Sequence, residues 1–133
     1  MYRDMEEHPA PRVVIASQRY VYAIDARTGI TAWAYQMQSH PCRVVVHGER
    51  VIIATDGELA CVDYATGKTH FHIRTSITPD VTLMVDVDRI YLGAEGNVAC
   101  YDMHGVQLWL NSLKTPGGVG FAVPGRGQQI DVQ

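Results

Sequence analysis

The pattern A-x-D-x-x-T-G-x-x-x-W occurs three times in this chain at a near-constant interval. It reads Ala23-Ile24-Asp25-Ala26-Arg27-Thr28-Gly29 followed by Trp33. It returns as Cys61-Val62-Asp63-Tyr64-Ala65-Thr66-Gly67 followed by Phe71. It returns again, one residue shorter, as Cys100-Tyr101-Asp102-Met103-His104-Gly105 followed by Trp109. The ring residue steps from 33 to 71 to 109, a period of 38. Periods of about 20–50 residues belong to solenoids, propellers and arrays, because each unit is too small to bury its own apolar face and must stack on neighbours. The repeat therefore constrains architecture; it specifies no reaction.

The type of each unit follows from the residues between the signatures. Short runs rich in Val, Ile and Tyr alternate with turn residues, as in an all-β fold. Strands are expected over 12–17, 20–25 and 30–36, over 42–47, 51–55, 58–63 and 68–74, and over 81–87, 89–94, 97–102 and 106–112. No stretch carries a helical apolar period of useful length. The second and third units supply four strands each, whereas the first has three. Residues 1–11, charged and with two prolines, read as a flexible lead-in. The missing strand has a candidate at the other end of the chain, Val119–Val123 (VGFAV), where the first strand of a fourth unit should stand.

The signature residues have structural tasks. Asp25, Asp63 and Asp102 can accept hydrogen bonds from N–H groups just ahead of them and lock a turn between antiparallel strands. Gly29, Gly67 and Gly105 supply the positive φ that such turns require. Trp33, Phe71 and Trp109 lie on the following strand, where a ring can fill the space between neighbouring sheets, burying roughly 150–250 Å² each. Strand alternation puts Thr69, Phe71 and Ile73 on one face and His70, His72 and Arg74 on the other.

This repeat resembles the quinoprotein-type (PQQ-like) β-propeller repeat, over about residues 12–127. The departures are Cys61 and Cys100 in place of Ala, Phe71 in place of Trp, and the shortened turn at Asp102–Gly105. The resemblance implies all-β propeller blades. It points to a family that holds both quinone-dependent alcohol dehydrogenases and non-enzymatic scaffolds that assemble other proteins. The dehydrogenases in the family use an eight-bladed ring whose long loops bear an adjacent cysteine pair, a calcium site and a catalytic Asp. Here no two cysteines are adjacent, the loops are short and the blades too few, so no cofactor and no catalytic residue are expected.

Propellers close with about 4–8 blades. Three blades alone would leave two apolar faces and unpaired strand edges, both of which invite association. Two copies related by a two-fold axis give six, so the expectation is a homodimeric six-bladed propeller. Its closing strand, with Val119, Phe121 and Val123, would complete the partner's first blade. Gln129–Val132 does not fit this scheme. It reads as a frayed tail, an extra edge strand, or a sign of a longer propeller.

The remaining chemistry is sparse. A net charge of −3 lacks the basic stripe of a nucleic-acid binder. No run of about 18 apolar residues offers a membrane-spanning helix. With Met1 as the native start, the N-terminus lacks a signal peptide and a cytoplasmic protein is expected. The three cysteines read as small hydrophobes rather than a disulfide framework. His40, Cys42 and His47, or the i, i+2 pair His70 and His72, could supply metal ligands, but solvated strand faces explain them as well, and no metal is expected. Gly117-Gly118 and Gly125-Arg126-Gly127 read as hinges around the tail strand. The expectation is a non-enzymatic, self-assembling scaffold or protein-interaction module. The alternative is a small-molecule or carbohydrate binder using the channel or the clefts between blades.

Overall fold

A computed structural model describes residues 11–124. Among them are eleven strands in three antiparallel sheets and no helix. The first sheet is three-stranded: β1 (Arg12–Ser17), β2 (Tyr20–Asp25) and β3 (Thr31–Gln36). The second has four strands: β4 (Arg43–His47), β5 (Arg50–Thr55), β6 (Glu58–Asp63) and β7 (Thr69–Arg74). So has the third: β8 (Thr82–Asp86), β9 (Arg89–Ala94), β10 (Asn97–Asp102) and β11 (Gln107–Ser112). Each sheet is a meander in chain order, the topology of a propeller blade. The boundaries fall within a residue of those expected from the pattern.

The blades stack through two cores. Blade 1 meets blade 2 through Val21, Ala23 and Trp33 against Val51, Ile53, Ala60 and Val62. Blade 2 meets blade 3 through Ile52, Ala54, Leu59 and Cys61, with Phe71, against Ile90, Leu92, Ala99 and Tyr101. Strands β5 and β6 are thus apolar on both faces, because the middle blade is covered twice. Its residues 51–55 and 58–62 are all buried. This explains the continuous apolar runs of that unit.

A β-bulge recurs at one repeat position: between Ala23 and Ile24, Cys61 and Val62, and Cys100 and Tyr101. It sets Trp33 opposite Ala23, Phe71 opposite Cys61 and Trp109 opposite Cys100. The residue opposite each ring is small in all three blades, Ala in the first and Cys in the others.

Val119–Val123 forms no strand within the chain. It runs over the outward face of blade 3. The Thr82 hydroxyl donates to the Val119 carbonyl at 2.8 Å, Phe121 meets the Tyr91 ring at 6.1 Å, and Val119 fills the space over Gly93. Among the described residues no strand pairs with it. Residues 1–10, the Gly125–Gly127 hinge and the 128–133 tail lie outside the described residues.

Candidate functional site

The signature turns have their expected construction. Asp25 accepts the N–H groups of Arg27 and Thr28 at 2.8 and 3.1 Å. Asp63 accepts those of Ala65 and Thr66, at 3.1 and 3.0 Å, and the Thr66 hydroxyl. Asp102 accepts those of His104 and Val106, at 2.8 and 3.0 Å. The Arg27 N–H holds the Asp25 carboxyl below its usual range, and the Val106 and His104 N–H groups do the same for Asp102. At Asp63 burial opposes ionisation, but the Thr66 and Ala65 donors outweigh it and the pKa is again lowered.

The rings pass from blade to blade. A Cβ on Gly67 would lie 2.7 Å from the Trp33 ring, so Trp33 of blade 1 rests on the bare backbone of the blade 2 turn. Its indole N–H donates to the Tyr64 carbonyl at 2.8 Å. Phe71 of blade 2 rests on Gly105 of blade 3 in the same way, again at 2.7 Å. Gly67 also sits at φ +75°, so both conformation and contact require glycine. An arginine of the same blade also reaches the next turn. Arg12 donates to the Ala65 carbonyl, and Arg50 donates to the Met103 carbonyl at 2.8 Å.

At the two ends of the arc these pairings stop. Trp109 is 45% exposed, against 8% for Trp33. Gly29 has nothing within 4 Å of its Cβ position. Val13 and Ile15 of blade 1 are 50% and 41% exposed, whereas their repeat equivalents Val51 and Ile53 are fully buried. Arg89 is the third of the arginines, yet its partner is its neighbour Asp88 at 3.1 Å.

A second feature lies between blades 1 and 2. An open cleft of about 500 Å³ is lined by Gln38, Ser39, Asp56, Glu58, His72 and Arg74, among others. Its floor is Glu58, 4% exposed. Its carboxylate accepts the N–H groups of Gln38 (2.9 and 3.0 Å, one to each oxygen) and Ser39 (2.9 Å), the Thr55 hydroxyl (2.6 Å) and His72 Nε2 (2.8 Å). His72 Nδ1 in turn meets the Tyr35 hydroxyl at 2.7 Å. Burial raises the Glu58 pKa, but the bonds from Thr55, Gln38, His72 and Ser39 outweigh it and the pKa is lowered. The carboxylate thus ties the loop leaving blade 1 to the β5–β6 turn of blade 2. Sequence reading placed His72 on a solvated face and missed Glu58. The one available signal was an acid in the otherwise apolar run of β5 and β6.

The other histidines are apart. His47 Nε2 donates to the Val87 carbonyl at 2.6 Å, and His70 lies 3.9 Å from Asp63. Cys42 is buried, which pushes its thiol up to about 11. Among the described residues no group of three or more His, Cys, Asp or Glu side chains is placed to hold a metal ion.

The fold these observations define is that of the PQQ-like β-propellers. The chain is similar in structure to BamB from Moraxella catarrhalis, with a TM-score of 0.61 and 23% identity, over 76% of this chain and 34% of that one. It is similar also to a europium-containing methanol dehydrogenase, with a TM-score of 0.60 and 19% identity, over 74% and 22%. A third is the quinohemoprotein alcohol dehydrogenase from Comamonas testosteroni, at 0.59 and 26%, over 74% and 19%. The chain thus spans about a third or less of the length of these proteins. No protein-family model and no curated protein matches it.

Proposed function

We propose that this chain is a non-enzymatic propeller scaffold that closes its ring with a second copy of itself and presents the ring's rim to a protein partner. The observation that carries this reading is the placement of Val119. Within the chain, Arg43 at the start of innermost strand β4 donates to the Val81 carbonyl at 3.4 Å, just before innermost strand β8 begins. Thr82, at the start of β8, donates to the Val119 carbonyl. The repeat thus relates Val119 to Val81, which precedes β8, and supports reading the segment after it as the first strand of a following blade; among the described residues the first blade has three strands. The saturated Glu58 carboxylate favours a scaffold over a catalyst, because its oxygens already face four donors and none is left for a substrate proton.

Static light scattering across a dilution series tests the reading. Closure gives about 29 kDa, twice the 14.7 kDa of one chain. A mass of one chain at tens of micromolar refutes it. The cleft beside Glu58 supports a second reading, a small polar ligand held by the side chains of Arg74 and Gln38. A ligand that raises the melting temperature of the wild type and not of Arg74→Ala would establish it.

A further inference from the structure

We propose that the seam between copies repeats the contacts that join blades inside the chain, with Trp109 of one copy seated on the Gly29 turn of the second. The inference rests on the ring-closing reading above and assigns its residues.

Each blade sends three things to the next: a ring to a glycine turn, an arginine to a turn carbonyl, and the start of an innermost strand. The ring goes from Trp33 to Gly67 and from Phe71 to Gly105. The arginine goes from Arg12 to the Ala65 carbonyl and from Arg50 to the Met103 carbonyl. The strand follows Cys42 into blade 2 and Val81 into blade 3. Among the described residues blade 3 carries all three senders free of a following blade: Trp109 is half exposed, Arg89 pairs with its sequence neighbour Asp88, and Val119–Val123 has no strand partner. Blade 1 carries the matching receivers: Gly29 at φ +77° with open space above it, and the β1 edge with Val13 and Ile15 bare.

The 38-residue period assigns the pairs. Trp109 lies on Gly29 of the second copy, with its indole N–H to the Ala26 carbonyl there, as Trp33 donates to Tyr64. Arg89 turns from Asp88 to the Arg27 carbonyl of the second copy. Val119–Val123 pairs along the free edge of the second copy's β1. Tyr91 meets the Trp109 ring in a tilted contact, with centroids 6.2 Å apart. The occupant is a second copy because these receivers are spaced as this chain's own repeat spaces them.

The test compares dimer dissociation for the full chain and for Trp109→Ala and Trp109→Phe, by sedimentation equilibrium. The alanine variant should raise the dimer Kd at least about 30-fold, as for a buried aromatic anchor. The phenylalanine variant should lose much less, since Phe71 performs the same task in blade 2. A Trp33→Phe chain keeps one indole, Trp109, whose acrylamide quenching should fall on dimerisation; this readout stands even if Trp109→Ala misfolds. A dimer with an unchanged Kd in Trp109→Ala, or with Trp109 equally quenched in monomer and dimer, overturns the docking while leaving ring closure intact. A chain monomeric at every concentration overturns both.

Discussion

Replacing Glu58 by alanine should be among the most damaging single changes outside the apolar cores. The carboxylate is the common acceptor for four donors on three segments: the Gln38 and Ser39 N–H groups, the Thr55 hydroxyl and His72. Thr55 is fully buried, so its hydroxyl would be left without water or partner, at a cost of about 1–2 kcal/mol. Gln38, Ser39 and His72 border the open cleft and regain water, which limits each loss to about 0.5–1 kcal/mol. The total is about 2.5–5 kcal/mol, a large part of the typical stability of a domain. At about 4 °C per kcal/mol for a chain of this size, the melting temperature falls by about 10–20 °C. Scanning calorimetry at pH 7 and one fixed protein concentration measures it. The pH dependence adds an independent check. Since the native Glu58 pKa is lowered, the unfolded chain binds that proton more tightly. The stabilisation is whole above an unfolded pKa of about 4.3 and is lost as pH falls through the lower native value. Glu58→Gln keeps an acceptor for Thr55, so it should cost less at pH 7, and its deficit should shrink toward zero in acid. A Glu58→Ala protein that melts within about 4 °C of the wild type, or a Glu58→Gln deficit unchanged at pH 3, refutes the clamp.

Gly67→Ala should cost about 3 kcal/mol or more, because the new methyl strikes the Trp33 ring and the φ is unfavourable. Gly48→Ala, at φ +63° with open space around it, should cost only about 1 kcal/mol. Urea unfolding of the two variants at equal concentration decides it, and equal losses would remove the ring contact from the account. All three thiols are buried, and desolvation raises their pKa values, Cys42 to about 11. Ellman's reagent at pH 8 should therefore react slowly with the native chain and at once with all three thiols in guanidinium; a fast native phase would contradict the packing.

The blades were legible in the sequence because their determinants are local and repeated. An Asp that caps a turn, a Gly at positive φ and a ring four residues later identify themselves, and three copies in register fix the spacing. Strand faces were also legible: Phe71 and Ile73 point into the core and His72 and Arg74 away from it, as alternation requires. The Glu58 clamp was not legible. It joins residues 38, 39, 55, 58 and 72, drawn from two blades, and it has no repeat counterpart, since Tyr20 and Asn97 occupy the equivalent positions. The course of the tail was not legible for a different reason. VGFAV has the composition of a strand, but a strand needs an edge to bond to, and its own chain offers none within reach.

The contacts between blades have a direction, since ring and guanidinium always point from one sheet to the following one. Ends of that kind join head to tail, and such contacts make a closed ring only when the accumulated rotation comes to a full turn; otherwise they propagate as an open fibre. A six-bladed circuit asks for about 60° between neighbouring sheets. That angle is set by side-chain bulk in the two cores, where Ala60 and Ala99 hold equivalent small positions. Enlarging either one would splay the sheets, and the same chain would then polymerise rather than close.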